Sequence, residues 1–215
     1  MCYNLCMIKK CFKKNIVLFI ILILMIDVFY FMFNNKNIYD FICSIDYGVR
    51  DIISSDNVLF VNIMKVFTFI GNVYIPILLI IILYMIKNKK KDTYILACVY
   101  VFSGIVIFIC KYLINRDRPL EAIISIPSSP SFPSGHAFTS MVFYFTFAYI
   151  ISKDLKRPYK NIVICIFILL SLIIGFSRIY LGVHFFSDVV CGFVFAVPVL
   201  LIGINSYNII KEEKI

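Results

Sequence analysis

Long apolar runs constrain this chain more than any other feature of its sequence. Six runs are separated by short polar segments, and a bilayer is crossed by about 20 apolar residues. They cover residues 16–33, 66–86, 93–114, 133–151, 161–176 and 184–204. Of the 215 residues, 62% are apolar and 15% are charged, against about 25% charged in soluble domains. This composition excludes a soluble globule, a disordered chain and a fibrous protein. It predicts an all-α polytopic membrane protein with six transmembrane helices in a single domain, 1–215.

Three segments refine this prediction. The first run follows four lysines, as a signal peptide does, but no small-residue cleavage site follows it, so an uncleaved span is expected. Residues 34–57 are mixed in character and predict a loop or a short amphipathic helix at the membrane interface. Gly71 and Asn72 interrupt the second run, and a glycine there permits close helix packing.

The Lys and Arg residues divide unevenly between the two sides of such a protein. Six spans place both termini on one side, and that side receives 14 of the 21 cations. These are Lys9, Lys10, Lys13, Lys14, Lys87, Lys89, Lys90, Lys91, Lys153, Lys156, Arg157, Lys160, Lys211 and Lys214. The other side receives Lys36, Arg50, Arg116, Arg118 and Arg178, with Lys65 and Lys111 near span ends.

Cytoplasmic loops carry the excess of Lys and Arg. We therefore expect both termini in the cytoplasm and the loops at 34–65, 115–132 and 177–184 on the extracytoplasmic side of the cell membrane. Because topology accounts for the net charge of +9, nucleic-acid binding is not expected.

Both histidines of the chain lie at the outward ends of spans. His136 opens the fourth run and His184 opens the sixth. The same ends carry three cations and one carboxylate: Lys111, Arg118, Arg178 and Asp188. Ionisable groups near membrane depth are expensive and tend to be functional. A cluster of cations suits an anion with several oxygens, and phosphate is the obvious candidate.

Local spacing supports an anion site. Lys111 and Arg118 are two helical turns apart and would share a face if the helix continued that far. Ser134 and Gly135 stand at a helix amino terminus, where free N–H groups and the dipole favour an anion. Glycine also lets the backbone approach a phosphate closely.

The second histidine has a carboxylate one turn away. His184 and Asp188 are at i and i+4, so they share one helix face. A carboxylate there can bond one imidazole nitrogen, fix the tautomer and leave the other nitrogen free to attack.

Three blocks of sequence carry a family resemblance. They are Lys111-x6-Arg118-Pro119, Pro133-Ser134-Gly135-His136, and Ser177-Arg178-x5-His184-x3-Asp188. Together they resemble the signature of the type 2 phosphatidic acid phosphatase family, whose site is shared with glucose-6-phosphatase and vanadium-dependent haloperoxidases. All three blocks are complete and in order. Arg116 and Asp117 fall outside the signature and are not expected to contact substrate.

The resemblance implies a role for each block residue. His184 is implied to be the nucleophile that forms a phosphohistidine, Asp188 to orient it, and His136 to be the general acid. The remaining residues are implied to bind the phosphoryl oxygens: Lys111, Arg118, Ser134, Gly135 and Arg178. Three fixed cations then supply the charge stabilisation that metal ions supply in other phosphoryl transfers.

No metal or other cofactor is expected. A two-metal phosphatase needs several carboxylates, and the motif region offers Asp117, Glu121 and Asp188 alone. None of the eight cysteines forms a Cys-x-x-Cys pair. The four inside apolar runs, Cys98, Cys110, Cys165 and Cys191, are expected to be small buried hydrophobic residues rather than metal ligands or disulfides.

The resemblance implies a membrane lipid phosphate as substrate and leaves two enzyme classes open. One hydrolyses phosphatidic acid or phosphatidylglycerol phosphate, and the other hydrolyses undecaprenyl diphosphate to recycle the cell-wall carrier lipid. The glycine at 135 resembles the first class, since some dedicated undecaprenyl diphosphate enzymes carry Asp there. A non-enzymatic anion transporter is a remote alternative, because neither inverted repeats nor broken helices at the midplane are evident.

Overall fold

The computed structural model describes residues 2–53, 57–86 and 89–212, with side chains from residue 9 to 211 inside those ranges. This part of the chain forms eight α-helices and no strand. They are α1 (Cys2–Asn34), α2 (Lys36–Ile53), α3 (Val58–Ile70), α4 (Tyr74–Met85), α5 (Lys90–Ile114), α6 (Gly135–Ser152), α7 (Arg157–Tyr180) and α8 (Phe186–Glu212). Lys87 and Lys214 lie outside the described residues.

The all-helical membrane architecture is confirmed. Within the described ranges, four helices are long and apolar enough to cross a membrane, and α3 with α4 supplies a fifth span if the bent pair is counted as one. The four lie at Lys9–Asn34, Lys90–Ile114, Arg157–Tyr180 and Phe186–Lys211. The number of six spans and the cytoplasmic position of the termini stay predictions.

Helix α6 occupies the centre of the bundle. It packs against α5, α7 and α8, and ten of its 18 side chains are buried. Its sequence is rich in Ser, Thr and Tyr, and several of these hydroxyls are satisfied inside the bundle. Tyr144 donates to the Ile70 carbonyl at 2.6 Å and Ser152 donates to the Ala148 carbonyl at 2.6 Å. A helix surrounded by protein needs less hydropathy than one that faces lipid.

The second apolar run is not the continuous helix that was predicted. It begins earlier, with α3, and breaks at Gly71, where the axes of α3 and α4 differ by 49°. A Cβ atom on Gly71 would overlap Ile174 of α7 and lie 3.0 Å from Cδ2 of His136. The glycine thus permits the expected close packing. Pro76 is tolerated in the first turn of α4, where its missing N–H has no helical acceptor.

Residues 34–57 contain the amphipathic helix that was the alternative to a loop. Helix α2 packs against α1, α7 and α8, and most of its residues are partly or fully exposed. Asp46 is the exception, since it is 1% exposed. A carboxylate is almost never buried in this way unless it is paired. Its partners lie at the candidate site.

An ion cluster ties the helices together at the opposite end of the bundle. Asp92 in the first turn of α5 is fully buried. Its carboxylate lies 2.7 Å from Nζ of Lys211 on α8 and 3.1 Å from Nζ of Lys153 after α6. Lys89 is 3.8 Å away. These lysines belong to the set expected on the cytoplasmic side.

Candidate active site

The structure brings the sequence-predicted ionisable residues together at one end of the bundle. Lys111 lies in the last turn of α5 and Arg178 in the last turn of α7, and α6 and α8 begin beside the two histidines. The charges of Lys111 and Arg118 act on His184, and those of Arg178 and Arg118 act on His136. Residues from 18 to 73 positions apart in sequence therefore share one electrostatic environment.

The loop after α5 places Arg118, and it does so differently from the sequence expectation. Helix α5 ends at Ile114, and its C-cap Asn115 adopts the left-handed conformation at φ 48°, so Lys111 and Arg118 do not share a helix face. The chain folds back instead. The N–H of Ser131 donates to the Arg116 carbonyl at 2.7 Å, and Lys111 Nζ lies 3.4 Å from the Ser131 carbonyl.

Arg118 is fixed by the loops on either side of it. Its Nε donates to the Ser129 carbonyl at 2.8 Å, and its Nη1 donates to the Val183 carbonyl at 2.7 Å. The same Nη1 lies 3.1 Å from Nε2 of His184. The guanidinium is thus held against the nitrogen that the sequence suggests as nucleophile.

A left-handed glycine lets the loop between α7 and α8 dock on the loop after α5. Gly182 has φ +72°, and a Cβ there would lie 2.6 Å from the Glu121 carbonyl oxygen. One residue earlier, the Leu181 carbonyl accepts from the N–H of Ile123 at 3.0 Å. A side chain at position 182 would be strained and would separate the two loops.

His184 and Asp188 form the pair that their spacing predicts. Nδ1 of His184 lies 3.4 Å from Oδ2 of Asp188. A carboxylate only accepts and a guanidinium only donates, so the proton belongs on Nδ1 and the lone pair belongs on Nε2, next to Arg118. Asp188 Oδ2 is itself held by the Phe185 N–H at 2.9 Å and by the Ser131 hydroxyl at 2.5 Å.

The environment keeps the His184 ring neutral. Its exposed fraction is 3%. Burial lowers the pKa of the imidazole below its ordinary value, against the opposing effect of the Asp188 carboxylate, and the charges of Arg118 and Lys111 lower it further. A neutral imidazole with its lone pair on Nε2 is the form that can attack phosphorus.

Arg178 reaches the cluster from the last turn of α7. It is 4% exposed, and its Nη1 donates to the Thr68 hydroxyl of α3 at 2.5 Å. Its buried Nε has no hydrogen-bond partner among the described residues. A buried guanidinium with donor capacity to spare is suited to an anion.

Ser134 and Gly135 form the beginning of α6 beside this cluster. Ser134 is the N-cap, and its side chain accepts from the Ala137 N–H. Its own N–H is already committed, since it donates to the Asp188 carbonyl at 2.9 Å. A Cβ on Gly135 would lie 3.9 Å from Cε of Lys111. The glycine therefore faces the lysine, as expected if both border an anion.

Three buried residues at the site were not predicted from the sequence: Ser131, Arg116 and Asp46. Arg116 bridges Asp188 and Asp46 at 2.7 Å each. Asp117, the other residue outside the signature, is exposed. Arg116 could have been predicted from its position between Lys111 and Arg118, because that segment must fold onto the site.

The described residues contain no group of three or more His, Cys, Asp or Glu side chains arranged to hold a metal ion. No disulfide joins the cysteines whose side chains are described. Cys110 is buried, but Cys98 and Cys165 are exposed on the outside of the bundle, so the expected burial is wrong for those two. Cys2 and Cys6 lie outside the described side chains.

With this geometry in place, comparison with known proteins decides the family. The model of the PAP2 superfamily matches residues 92–211, which is more than half of the chain. The chain belongs to the PAP2 superfamily. The resemblance carried by the three sequence blocks is thereby confirmed, and the match includes every one of those blocks.

Individual relatives agree with this assignment. Phosphatidylglycerophosphatase B of Bacillus subtilis (strain 168) is 35% identical over 108 residues, which cover 49% of this chain and 53% of the relative. The chain thus matches about half the length of that curated relative.

Two solved structures share the fold. One is a transmembrane PAP2 type phosphatidylglycerolphosphate phosphatase from Bacillus subtilis, with a TM-score of 0.76 and 24% identity over 94% of this chain and 98% of that structure. The other is LpxE of Aquifex aeolicus, with a TM-score of 0.58 and 26% identity over 76% of this chain and 95% of that structure.

Proposed function

We propose that this protein hydrolyses membrane lipid phosphates of the phosphatidylglycerol phosphate or phosphatidic acid type through a phosphohistidine. The observation that carries the proposal is the arrangement of His184, with Nδ1 facing Asp188 and Nε2 facing Arg118. The arrangement supplies a neutral, oriented nucleophile at the edge of a cationic cluster. The name of the Bacillus subtilis relative favours phosphatidylglycerol phosphate as the substrate class.

In the first chemical step, Nε2 of His184 attacks phosphorus. A nitrogen–phosphorus bond forms as the bond to the lipid oxygen breaks. Charge spreads over the three equatorial oxygens, and Lys111, Arg118 and Arg178 stabilise it there. Ser134 and Gly135 border the same space from the beginning of α6 and add hydrogen bonds. Arg118 exchanges its contact with Nε2 for a contact with phosphate.

Proton transfer in both steps is assigned to His136. In its protonated form, His136 donates a proton to the departing lipid oxygen, which therefore leaves as a hydroxyl group rather than as an alkoxide. It then takes a proton from the water that attacks the phosphohistidine. The nitrogen–phosphorus bond breaks, inorganic phosphate leaves, and both histidines return to their starting states.

The placement in the membrane belongs to the same proposal. Helix α6 is the additional span that completes six, the termini are cytoplasmic, and residues 1–215 form one membrane-embedded unit. The site then lies at the extracytoplasmic surface of the cell membrane, where a lipid headgroup reaches it sideways from the bilayer. Labelling of single cysteines at the exposed positions Asp117 and Leu155 with a membrane-impermeant reagent tests the sides. Reaction of position 155 alone in intact cells would contradict this topology.

A polar cavity next to the site suits a headgroup that extends beyond one phosphate. Its volume is about 300 Å³. It is lined by Tyr47, Arg50, Asp51, Arg118, Pro119, Leu120 and Glu121. Because Arg118 also contacts His184, the cavity opens from the proposed phosphate site toward α2. The phosphodiester and glycerol hydroxyl of phosphatidylglycerol phosphate match its charged lining, and phosphatidic acid has no group to place there.

A substrate panel tests the function directly. Phosphate release by purified protein should be highest with phosphatidylglycerol phosphate, lower with phosphatidic acid, and lowest with undecaprenyl diphosphate. Highest kcat/KM on undecaprenyl diphosphate would instead assign the protein to carrier-lipid recycling. No release from any of the three, with anion flux in proteoliposomes, would favour the transporter alternative.

Metal removal should leave turnover unchanged. The cationic side chains at the site repel a divalent cation and already supply the charge that a metal ion supplies elsewhere. We expect phosphate release in EDTA to equal that in magnesium within about two-fold, a difference too small to represent a lost catalytic group. Activity that disappears in EDTA and returns with magnesium would contradict the proposed mechanism.

Replacing Arg50 should change substrate preference. Nη2 of Arg50 donates to the Glu121 backbone carbonyl at 2.5 Å and to the Glu121 carboxylate at 3.1 Å. The Glu121 side chain is 90% exposed, so the ion pair is weak and an anionic headgroup can displace that carboxylate. For Arg50→Met, kcat/KM on phosphatidylglycerol phosphate should fall about 10-fold, as expected for one charge-assisted hydrogen bond, with phosphatidic acid little affected. Lys36→Met, an exposed cation on the same helix, is the control. Equal losses on both lipids would contradict a headgroup role.

A further inference from the structure

The proposed orienting carboxylate is held by a residue that lies outside the sequence signature. Oδ2 of Asp188 faces His184, and Oδ1 accepts a hydrogen bond from Nη1 of Arg116 at 2.7 Å. The Arg116 side chain is 1% exposed and that of Asp188 is fully buried. Charge-assisted bonds of this length are among the stronger ones in proteins. Arg116 thus determines where the second oxygen of Asp188 lies.

The guanidinium also binds a carboxylate from α2. Nη2 of Arg116 lies 2.7 Å from Oδ2 of Asp46. Asp46 in turn accepts from the backbone N–H of Ser187 at 2.8 Å and from its hydroxyl at 2.6 Å. Ser187 lies in the first turn of α8, beside Asp188. A carboxylate on α2 therefore caps the helix that carries the orienting residue.

Aromatic rings fix the plane of the guanidinium. The Cζ of Arg116 lies 4.2 Å from the ring centroid of Phe185, 5.1 Å from that of Phe33 and 5.7 Å from that of Tyr39. Arginine stacks on aromatic faces and presents its donors in a rigid fork. The two carboxylates are consequently held at defined positions relative to each other.

The three buried charges depend on one another. Burial lowers the pKa of Arg116, but Asp188 and Asp46 raise it by more, so the guanidinium remains charged. Removing one partner of a buried ion pair leaves an uncompensated charge, which is strongly destabilising. Without Arg116, two carboxylates would face each other in an apolar site, and Asp188 would no longer be a dependable acceptor for His184.

We propose that Arg116 and Asp46 are positioning residues for the reaction: they hold Asp188, and through it His184, in the geometry that phosphoryl transfer requires. Helix α2 thereby becomes part of the catalytic apparatus through a single carboxylate. This inference rests on the proposed function, because it needs His184 to be the nucleophile. Neither residue contacts the substrate.

The alternative is that the same contacts only attach α2 to the bundle. In that case the variants would lower the melting temperature, but correctly folded molecules would turn over normally. Kinetic constants per folded molecule separate the two roles. A misplacement of about 1 Å in a reacting group is able to cost about 100-fold in rate.

The experiment compares Arg116→Met, Arg116→Lys, Asp46→Asn and the double variant Asp46→Asn/Arg116→Met. We expect kcat to fall about 100-fold in Arg116→Met and about 10-fold in Arg116→Lys and Asp46→Asn, with KM changed by less than about three-fold because Lys111, Arg118 and Arg178 are intact. The double variant should be more active than Arg116→Met alone, since it has one uncompensated carboxylate fewer.

Two exposed residues provide matched controls. Asp40→Asn removes a carboxylate from α2, and Arg157→Met removes an arginine from the opposite end of the bundle. Both should keep wild-type kcat. If Arg116→Met does not purify as a folded protein, Arg116→Lys and Asp46→Asn decide by the same criterion.

The experiment separates failure of the positioning role from failure of the proposed function. Wild-type protein that releases no phosphate from any lipid phosphate refutes the proposed function. Active wild-type protein with unchanged kcat in folded Arg116→Lys and Asp46→Asn refutes the positioning role. If the fold-losses in kcat of Arg116→Met and Asp46→Asn multiply in the double variant, Arg116 does not act by compensating the charges of the two carboxylates.

Discussion

Replacing His184 by alanine is expected to abolish phosphate release on every lipid that the wild-type protein hydrolyses. If His184 is the nucleophile, as proposed, the variant lacks the nitrogen that attacks phosphorus and keeps only the cations that bind the phosphoryl group. Loss of a nucleophile that works with oriented partners costs about 10⁴-fold or more in kcat. The measurement is single-turnover phosphate release by protein purified in detergent.

Trapping makes this prediction specific to the nucleophile. Wild-type protein mixed with lipid labelled on the terminal phosphate and quenched in alkali should carry the label on His184, and His184→Ala should carry none. Ser171→Ala, which removes a buried hydroxyl of α7 away from the site, should label normally. Near-wild-type turnover in folded His184→Ala would show that the nucleophile is another group.

The general location of the site was predictable, because ionisable residues at the ends of membrane spans are confined to the membrane surface or the protein interior. Histidines and arginines at the ends of apolar runs resist burial in lipid, so helix ends that meet at one surface bring them together. The i and i+4 spacing of His184 and Asp188 also fixed one contact in advance. The prediction that the cations lie near the imidazole thus followed from their positions at the ends of the apolar runs.

The supporting contacts were not predictable from one sequence. Asp46 and Arg116 are 70 residues apart, and nothing local indicates that an amphipathic segment contributes a buried carboxylate to the site. Ser131 lies in a polar loop that looks solvent-exposed until its hydroxyl is seen to bond Asp188. Lys111 and Arg118 would share a helix face only if α5 continued past Lys111 for two more turns, but the C-cap Asn115 lies between them.

For the helices too, local sequence predicted some features and long-range packing determines the others. Apolar runs predicted their approximate positions, because the bilayer requirement is local. The bend between α3 and α4 depends on what lies opposite Gly71, which is Ile174 of α7 and the ring of His136. Burial of α6 depends on three neighbours. Such features follow from tertiary packing rather than from the composition of a segment.

The second large effect is expected at His136, and it should depend on the leaving group. The histidine stands in the first turn of α6 and interacts electrostatically with Arg178, His184 and Arg118. For a lipid alkoxide, which leaves poorly without a proton, His136→Ala should lower kcat by about 10²- to 10⁴-fold, the range attributed to general acids. A nitrophenolate leaves well without protonation, so the first step with 4-nitrophenyl phosphate should be nearly unaffected.

Pre-steady-state kinetics separate these steps. With 4-nitrophenyl phosphate, His136→Ala should release a burst of nitrophenolate equal to the enzyme concentration and then turn over slowly, because hydrolysis of the phosphohistidine still needs a base. With a lipid phosphate the same variant should show no burst, whereas His184→Ala should show none with either substrate. An equal loss in the first step on both substrates would mean that His136 binds the phosphoryl group instead of protonating the leaving group, since only proton transfer makes the loss depend on leaving-group basicity.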